Sequence, residues 1–256
     1  MNRLLLIPMA ALLMLSGARA APSAPSYAVI SLVGDQLDVV AYQPQIGSQL
    51  DSNTHLHLAL SQDELDIAAL RAINRSLHAT LPGAHVALLA ASTPDSFANQ
   101  DRLFSGDQVT LPAEIDAAVR HEGAATLVLV SKHRGVARLP LEHGFIGSGK
   151  LEGLGYYMDT EIALHDVATG DRSVGYLAPY VYVDVSLVDV ATGRLLKRAS
   201  ITAARVITTP NAATTVHPWD ALTSEEKVSR LKDLLTSELE KTVPALVGGE
   251  APKPAQ

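Results

Sequence analysis

Two short motifs combine residue types that could bind a metal ion or a phosphate. His55-Leu-His57 would place both imidazoles on one face of a strand, as metal ligands require, but no third ligand follows at a diagnostic spacing. Residues 144–151 match a phosphate-binding loop except at Leu151, which replaces the Ser or Thr that binds magnesium. That loop also neither follows a strand directly nor begins a helix. We therefore predict surface histidines and a flexible loop, with no metal and no cofactor.

The side chains expected beyond two buried strands could support hydrolysis. Ligand sites in open α/β sheets lie at the carboxyl ends of the strands. Beyond residues 84–91 and 125–130, these ends would bring His133, Asp95, Asp101 and Ser131 nearest to one another. No Gly-x-Ser-x-Gly turn presents a nucleophile, and no spacing rule joins the four residues. An extracytoplasmic hydrolase is therefore the alternative hypothesis, and no catalytic residue is assigned.

Aromatic residues are concentrated in one glycine-rich stretch. Of the eleven aromatics, six lie between residues 145 and 182. Tyrosines on glycine-rich loops suit a contact surface, because each offers a large apolar area and a hydroxyl at low entropic cost. Alternatively, the same tyrosines favour strands and pack locally against the sheet. The candidate binding residues are Phe145, Tyr156, Tyr157, Tyr176, Tyr180 and Tyr182.

Composition excludes several classes of function. The chain has 256 residues, 47% of them hydrophobic, and a net charge of −7, which argues against binding nucleic acid. It contains no cysteine, which excludes disulfides, thiolate metal sites and a lipid anchor on cysteine. We expect a folded protein without disulfide bonds.

The first twenty residues have the order of a secretory signal peptide. Arg3 precedes an apolar run that ends at Leu15, and small residues at positions 18 and 20 favour cleavage after Ala20. The run is too short to span a bilayer, which needs about 20 residues. We expect a periplasmic or secreted protein with no stable membrane anchor after cleavage, a flexible start over 21–26 and a flexible tail over 248–256.

The remaining pattern, residues 27–247, predicts one α/β domain. Apolar residues 27–33 and 37–42 flank Gly34-Asp35 and predict a hairpin. Helical spacing from Ser61 to Leu77 and from Leu111 to Gly123 alternates with the buried strands 84–91 and 125–130. Such alternation predicts a three-layer domain in which helices pack on a mixed, mostly parallel sheet.

The second half of the chain predicts a long hairpin and a final helix. A glycine-rich loop or hairpin insertion is expected over 140–178, and strands over 179–190 and 195–207 follow it. Thr223 and Glu226 form a capping box at the start of an amphipathic helix.

One motif carries a resemblance to a known group of proteins. Residues 185–196, Val-Ser-Leu-Val-Asp-Val-Ala-Thr-Gly-Arg-Leu-Leu, resemble the strand, Asp-x-x-Thr-Gly turn and strand of curli-secretion (CsgG-like) proteins. They are also similar to penicillin-binding-protein activator lipoproteins and the TolB amino-terminal domain, and residues 124–130 occupy a matching strand. The resemblance implies an envelope protein that works by contact, although this chain lacks the lipidated cysteine. A non-catalytic binding or assembly factor with another envelope protein as partner is the first hypothesis.

Overall fold

The computed structural model describes residues 24–44, 51–60, 63–91, 93–98, 100–165, 172–208 and 217–248. The strands are β1 (Ser26–Ser31), β2 (Gln36–Ala41), β3 (Thr54–Ala59), β4 (His85–Ala90), β5 (Phe104–Ser105), β6 (Gln108–Val109), β7 (Thr126–Lys132), β8 (Arg134–Val136), β9 (Leu139–Leu141), β10 (Gly144–Ile146), β11 (Lys150–His165), β12 (Arg172–Asp189) and β13 (Leu195–Ala204). The helices are α1 (Glu64–Thr80), α2 (Pro94–Phe97), α3 (Ala113–His121) and α4 (Ser224–Gly248). The predicted signal peptide lies outside the described residues, as does the predicted tail beyond Gly248.

The α/β fold is confirmed as one domain built on a mixed nine-stranded sheet. Its main path runs β3-β2-β11-β12-β7-β1-β4, with β13 paired to β12 and β8 paired to β11. Parallel pairing joins β1 to β4, β1 to β7 and β2 to β11. The expected predominance of parallel pairing does not extend to the other pairs. The pairs β2–β3, β7–β12, β8–β11, β11–β12 and β12–β13 are antiparallel.

The sheet divides into two halves along the length of β12. Strand β13 occupies one edge of β12 from Tyr180 to Val188. The opposite edge is shared, since β7 pairs with Val183 to Asp189 while β11 pairs with β12 up to Tyr182. Strands β7 and β11 therefore lie end to end, and a gap opens where one stops and the other begins.

The predicted hairpin between β1 and β2 is wrong. Strand β1 pairs with β7 and β4, whereas β2 pairs with β11 and β3, so the two strands continue in one direction without pairing. The Asp66 carboxylate accepts hydrogen bonds from the Val33 amide at 3.2 Å and the Gly34 amide at 3.1 Å. A Cβ at Gly34 would lie 2.6 Å from Asp66 Oδ2, so glycine allows this approach. The break is thus held by α1, and burial raises the pKa of Asp66.

Helices cover one face of the sheet, and two different structures cover the other. Helices α1 and α4 pack together over one face and bury Leu65, Ile73, Leu235 and Leu239 among its valines. On the opposite face, α3 covers the half that contains β1 and β7. The segment 134–149, which holds the β9–β10 hairpin, covers the half that contains β2 and β11. The helices that form these layers correspond to the predicted helices, whereas the half covered by the segment 134–149 has no predicted helix over it.

The stretch between β7 and β12 is more regular than the sequence pattern indicates. The expected loop or hairpin over 140–178 contains the β9–β10 hairpin and most of the long β11–β12 ladder. Glycines with positive φ occur at its turns, including Gly147 at 103° and Gly149 at 74°.

The predicted capping box of α4 is present, since the Thr223 amide donates to Glu226 Oε2 and the Glu226 amide donates to Thr223 Oγ1.

Candidate functional sites

The five candidate tyrosines are core residues. Each is at most 1% exposed. Around these tyrosines, both faces of β11 and β12 are covered, and all but Tyr176 pair with a strand on each edge. The interpretation of these tyrosines as an exposed contact surface is therefore wrong, and the alternative of packing against the sheet describes them. They are Tyr156, Tyr157, Tyr176, Tyr180 and Tyr182.

Several tyrosine hydroxyls hold neighbouring segments to the sheet. The Tyr182 hydroxyl accepts from the Arg138 amide at 3.0 Å and donates to the Val136 carbonyl at 3.1 Å. The Tyr157 hydroxyl accepts from the Ser148 amide at 3.1 Å. On the opposite face, Tyr156 donates to the Lys227 carbonyl at 2.8 Å, which ties α4 to β11. The hydroxyls thus fix the position of the segment 134–149 and of α4.

Phe145 is the exposed member of the predicted binding set. Its ring, on β10, is 56% exposed and lies 4.3 Å from the Arg138 guanidinium carbon. Val136, on β8, is 63% exposed. Pro140 pairs with Phe145 across the β9–β10 hairpin and is also exposed. We call Val136, Arg138, Pro140 and Phe145 the hairpin surface.

The hairpin surface rests on a fixed base. The residues between its members in the chain, Ala137 and Leu139, are buried against the tyrosines. Alternation along a strand sends Val136, Arg138 and Pro140 outward when Ala137 and Leu139 point inward. The exposed side chains are therefore presented by a packed segment.

A polar cleft lies where the sheet divides. It has a volume of about 290 Å³, and residues from β2, β3, β7, β8 and β11 line it. His55 and His57, predicted to be surface histidines, both face it, and His57 pairs with Asp38 in the register of β2 and β3. His55 Nδ1 lies 3.0 Å from Asp38 Oδ2, and His57 Nδ1 lies 3.4 Å from Asp38 Oδ1. One buried carboxylate thus lies between the two imidazoles.

Three cationic side chains reach the same cleft from the other strands. Lys132 ends β7 and pairs with Asp35 at 2.7 Å. Arg134 and Lys150 also line the cleft, and within the described residues neither forms an ion pair. Glu152 is the cross-strand neighbour of Arg134. The cleft therefore offers positive charge together with carboxylate acceptors.

The four residues of the hydrolase hypothesis do not form a catalytic arrangement. His133 Nδ1 lies 3.3 Å from Asp184, and the Ser200 hydroxyl donates to the same carboxylate at 2.5 Å. The Ser131 hydroxyl is buried and has no partner among the described residues. Asp95 and Asp101 are exposed on α2 and the 3-10 turn Gln100–Leu103. A nucleophile bonded to an activating base is the arrangement that hydrolysis requires, and these contacts do not supply it.

The nucleotide-loop and metal patterns also lack the necessary context. Residues 144–151 lead from β10 into β11, so the glycines precede a strand rather than a helix. In the parts of the chain that the structure describes, no group of three or more His, Asp and Glu side chains is placed to hold a metal ion. The same parts contain no helix long and apolar enough to cross a membrane.

The sequence interpretation missed the cleft because it missed the pairing of β2 with β3. Asp38 and Val40 face their cross-strand partners His57 and His55, so one face gathers an acid and two imidazoles. The alternation of His55, Leu56 and His57 is typical of a strand, but no local motif indicates that this strand pairs with β2. Arg134, Lys150 and Glu152 had no local motif that could identify them.

Comparison with known proteins gives only distant similarity. No protein-family model matches the chain, and no curated protein matches it. A solved neuraminyllactose-binding hemagglutinin homolog from Helicobacter pylori is 9% identical over 86% of this chain and 82% of its own, with a TM-score of 0.42. A DUF330 protein from Xanthomonas campestris is 12% identical over 90% and 91%, with a TM-score of 0.34.

The PelC dodecamer from Paraburkholderia phytofirmans gives a third similarity. It is 12% identical over 90% of this chain and 89% of its own, with a TM-score of 0.29. None of these three structures bears the name of the curli-secretion, activator or TolB families that the motif at 185–196 resembles. Similarities of this size carry no argument about function.

Proposed function

We propose that this protein is an exported, non-catalytic binding or assembly factor of the cell envelope, which contacts another envelope protein through the hairpin surface. The predicted signal peptide with cleavage after Ala20 supports export. The observation that carries the proposal is the exposed Phe145 ring beside Arg138 on a packed base.

The chemistry of the hairpin surface suits a protein contact. Aromatic residues and arginine are enriched among residues that contribute most to protein binding. Burying an exposed phenylalanine side chain contributes about 1.5–3 kcal/mol. Because Ala137 and Leu139 already hold the segment against the tyrosines, little conformational entropy is lost when a partner binds.

Charge favours an acidic partner surface. The hairpin surface itself carries Arg138 and no acidic residue, in a chain whose net charge is −7. An exposed positive region attracts partners that present negative charge. We therefore infer that the partner presents aspartate or glutamate side chains around an apolar pocket for Phe145.

Site-specific photocrosslinking in intact cells tests this proposal. We replace Phe145 with p-benzoylphenylalanine, and place the same residue at Val174 as the control because Val174 is 61% exposed on β12. We expect position 145 to crosslink one envelope protein at least tenfold more than position 174, at a segment rich in acidic residues. Arg138→Glu should lower that yield, whereas Arg71→Glu, an exposed site on α1, should not.

Two results would overturn the contact assignment. Equal crosslinking from positions 145 and 174 would mean that the hairpin surface has no specific partner. Crosslinks from position 145 only to lipid would assign the surface to a membrane instead. Unchanged thermal unfolding of each variant shows that the fold is retained.

A further inference from the structure

We propose that the cleft where the sheet divides is a binding site for a hydroxylated monocarboxylate of the size of one acidic sugar. This site is separate from the hairpin surface and does not depend on the proposed protein contact. It combines side chains from β2, β3, β7, β8 and β11, which lie far apart in the chain. The proposal is based on the size, charge and rigidity of the cleft.

The size of the cleft sets the size of the ligand. Its volume of about 290 Å³ lies at the lower limit of ligand pockets, which span about 300–1,000 Å³. A single six-membered ring with its substituents occupies such a space, whereas a drug-sized molecule exceeds it. Gln36 contributes an amide to the lining.

The charges that remain available set the sign of the ligand. Asp35 neutralises Lys132, and His55 and His57 surround Asp38. Arg134 and Lys150 have no such partner within the described residues, and the guanidinium of an arginine matches a carboxylate with two parallel hydrogen bonds. The cleft is therefore suited to one carboxylate group.

Glu152 limits the ligand to a monoanion and favours hydroxyl groups. It lines the cleft directly opposite Arg134 across the β8–β11 pair, so a second negative charge on the ligand would be repelled. A carboxylate accepts hydrogen bonds and cannot donate them when ionised. Hydroxyl groups on the ligand supply the donors that Glu152 and the Gln36 oxygen need.

The walls of the cleft are held in place before a ligand binds. Asp51 accepts from the Lys150 amide at 3.0 Å, and its carboxylate lies 3.8 Å from His55 Nε2. The Gln100 side chain bridges the ends of the paired strands β1 and β7, donating to the Leu32 carbonyl at 2.5 Å and accepting from the Lys132 amide at 2.8 Å. Such preorganisation lowers the entropic cost of binding.

Gly153 keeps the floor of the cleft open. Its φ of 65° is accessible mainly to glycine, and a Cβ there would lie 3.3 Å from Lys132 Cγ. The Lys132 side chain therefore packs closely against this position on β11. The Lys132 side chain thus lies at the wall of the cleft and leaves the volume of the cleft open.

An NMR titration of the whole chain after signal cleavage tests the proposal. The probes are D-glucuronate, its neutral counterpart D-glucose, acetate and inorganic phosphate. We expect glucuronate to shift the amide signals of His55, Arg134 and Lys150, and to bind at least tenfold more tightly than glucose, acetate or phosphate. Signals from α3, on the other half of the sheet, should not move.

Matched variants separate the contributions of charge and hydroxyl recognition. Arg134→Gln and Lys150→Gln should each weaken glucuronate binding at least tenfold, while Arg71→Gln on α1 should leave it unchanged. Glu152→Gln should weaken glucuronate binding but not acetate binding, because only glucuronate offers hydroxyl donors.

Three outcomes would overturn the proposal. Equal binding of glucose and glucuronate would remove the role of the carboxylate, and tighter binding of phosphate would change the ligand class. The absence of shifts at the cleft with every probe would mean that the cleft is no ligand site. A negative result in the NMR titration does not affect the proposal for the hairpin surface, because photocrosslinking at Phe145 probes a different surface.

Discussion

The tyrosine core, which consists of the five buried tyrosines on β11 and β12, and strand β3, which carries His55 and His57, belong to the same half of the sheet but differ in exposure. The central parts of β11 and β12 have neighbouring strands and are covered on both faces, so all five tyrosines are buried. Strand β3 lies at the end of the strand order, and Leu56 between its two histidines is 56% exposed. A tyrosine in a central strand contributes packing, whereas a histidine in an edge strand is available for binding.

The difference shows that position in the sheet, more than residue type, separates structural from functional groups. Tyrosine is common at binding surfaces and histidine is common at ligand sites, yet both are also common core or surface residues. Asp38 joins the two regions, because its carboxylate contacts the histidines while its carbonyl accepts from the Tyr180 hydroxyl at 3.4 Å. The cleft is thus built directly on the tyrosine core.

Alkaline unfolding should give the largest effect on the tyrosine core. Burial raises the pKa of all five tyrosines above the ordinary 10.0. Since the folded pKa exceeds the unfolded one, stability is complete below pH 10 and falls as the pH rises above it. A phenol that stays protonated in the folded protein at pH 11 costs about 1.4 kcal/mol there, because the same phenol ionises near pH 10 in the unfolded chain. Several such phenols together amount to a large part of a typical folding free energy.

Absorbance of the phenolate and circular dichroism, followed together from pH 8 to 12, check this expectation. The two signals should change in one cooperative transition above pH 10. Urea-unfolded protein is the control, in which the phenols ionise near pH 10 without any structural transition. Ionisation of all five phenols near pH 10 with the fold intact would contradict the burial of the tyrosines.

Truncating one side chain in each region should give the next largest effect, a difference in the loss of stability between the two regions. Tyr180→Ala removes a fully buried ring that packs edge to face on Tyr182 at 5.7 Å, and should cost about 3–5 kcal/mol. Leu56→Ala, in the exposed edge strand, should change stability by less than about 0.5 kcal/mol. Urea unfolding at pH 7 measures both values, and equal losses would remove the distinction between the two regions.

Removing a single hydroxyl should give the smallest effect. Tyr156→Phe deletes the hydrogen bond to the Lys227 carbonyl and should cost about 1 kcal/mol. Tyr27→Phe is the matched control, because the Tyr27 hydroxyl makes no hydrogen bond within the described residues. A loss for Tyr156→Phe no greater than the control value, in the same unfolding assay, would show that this bond does not hold α4 to β11.

Local patterns predicted much of the fold but little of the candidate sites. The helical spacing in α1, α3 and α4 and the apolar runs in β4 and β7 correspond to the observed elements. Long-range pairing was harder to predict, since Gly34-Asp35 resembles a reversal but continues the chain in one direction. Asp66, 32 residues further along, supplies two of the hydrogen bonds that hold this break.

Taken alone, the amino-acid sequence determined the α/β class, the capping box at Thr223 and the absence of cysteine chemistry, because these depend on neighbouring residues or on composition. The tertiary structure decided that five tyrosines are core, that Phe145 is exposed and that Asp38, His55, Arg134 and Lys150 meet at one cleft. Those outcomes depend on strand order, which is set by packing between residues far apart in the chain.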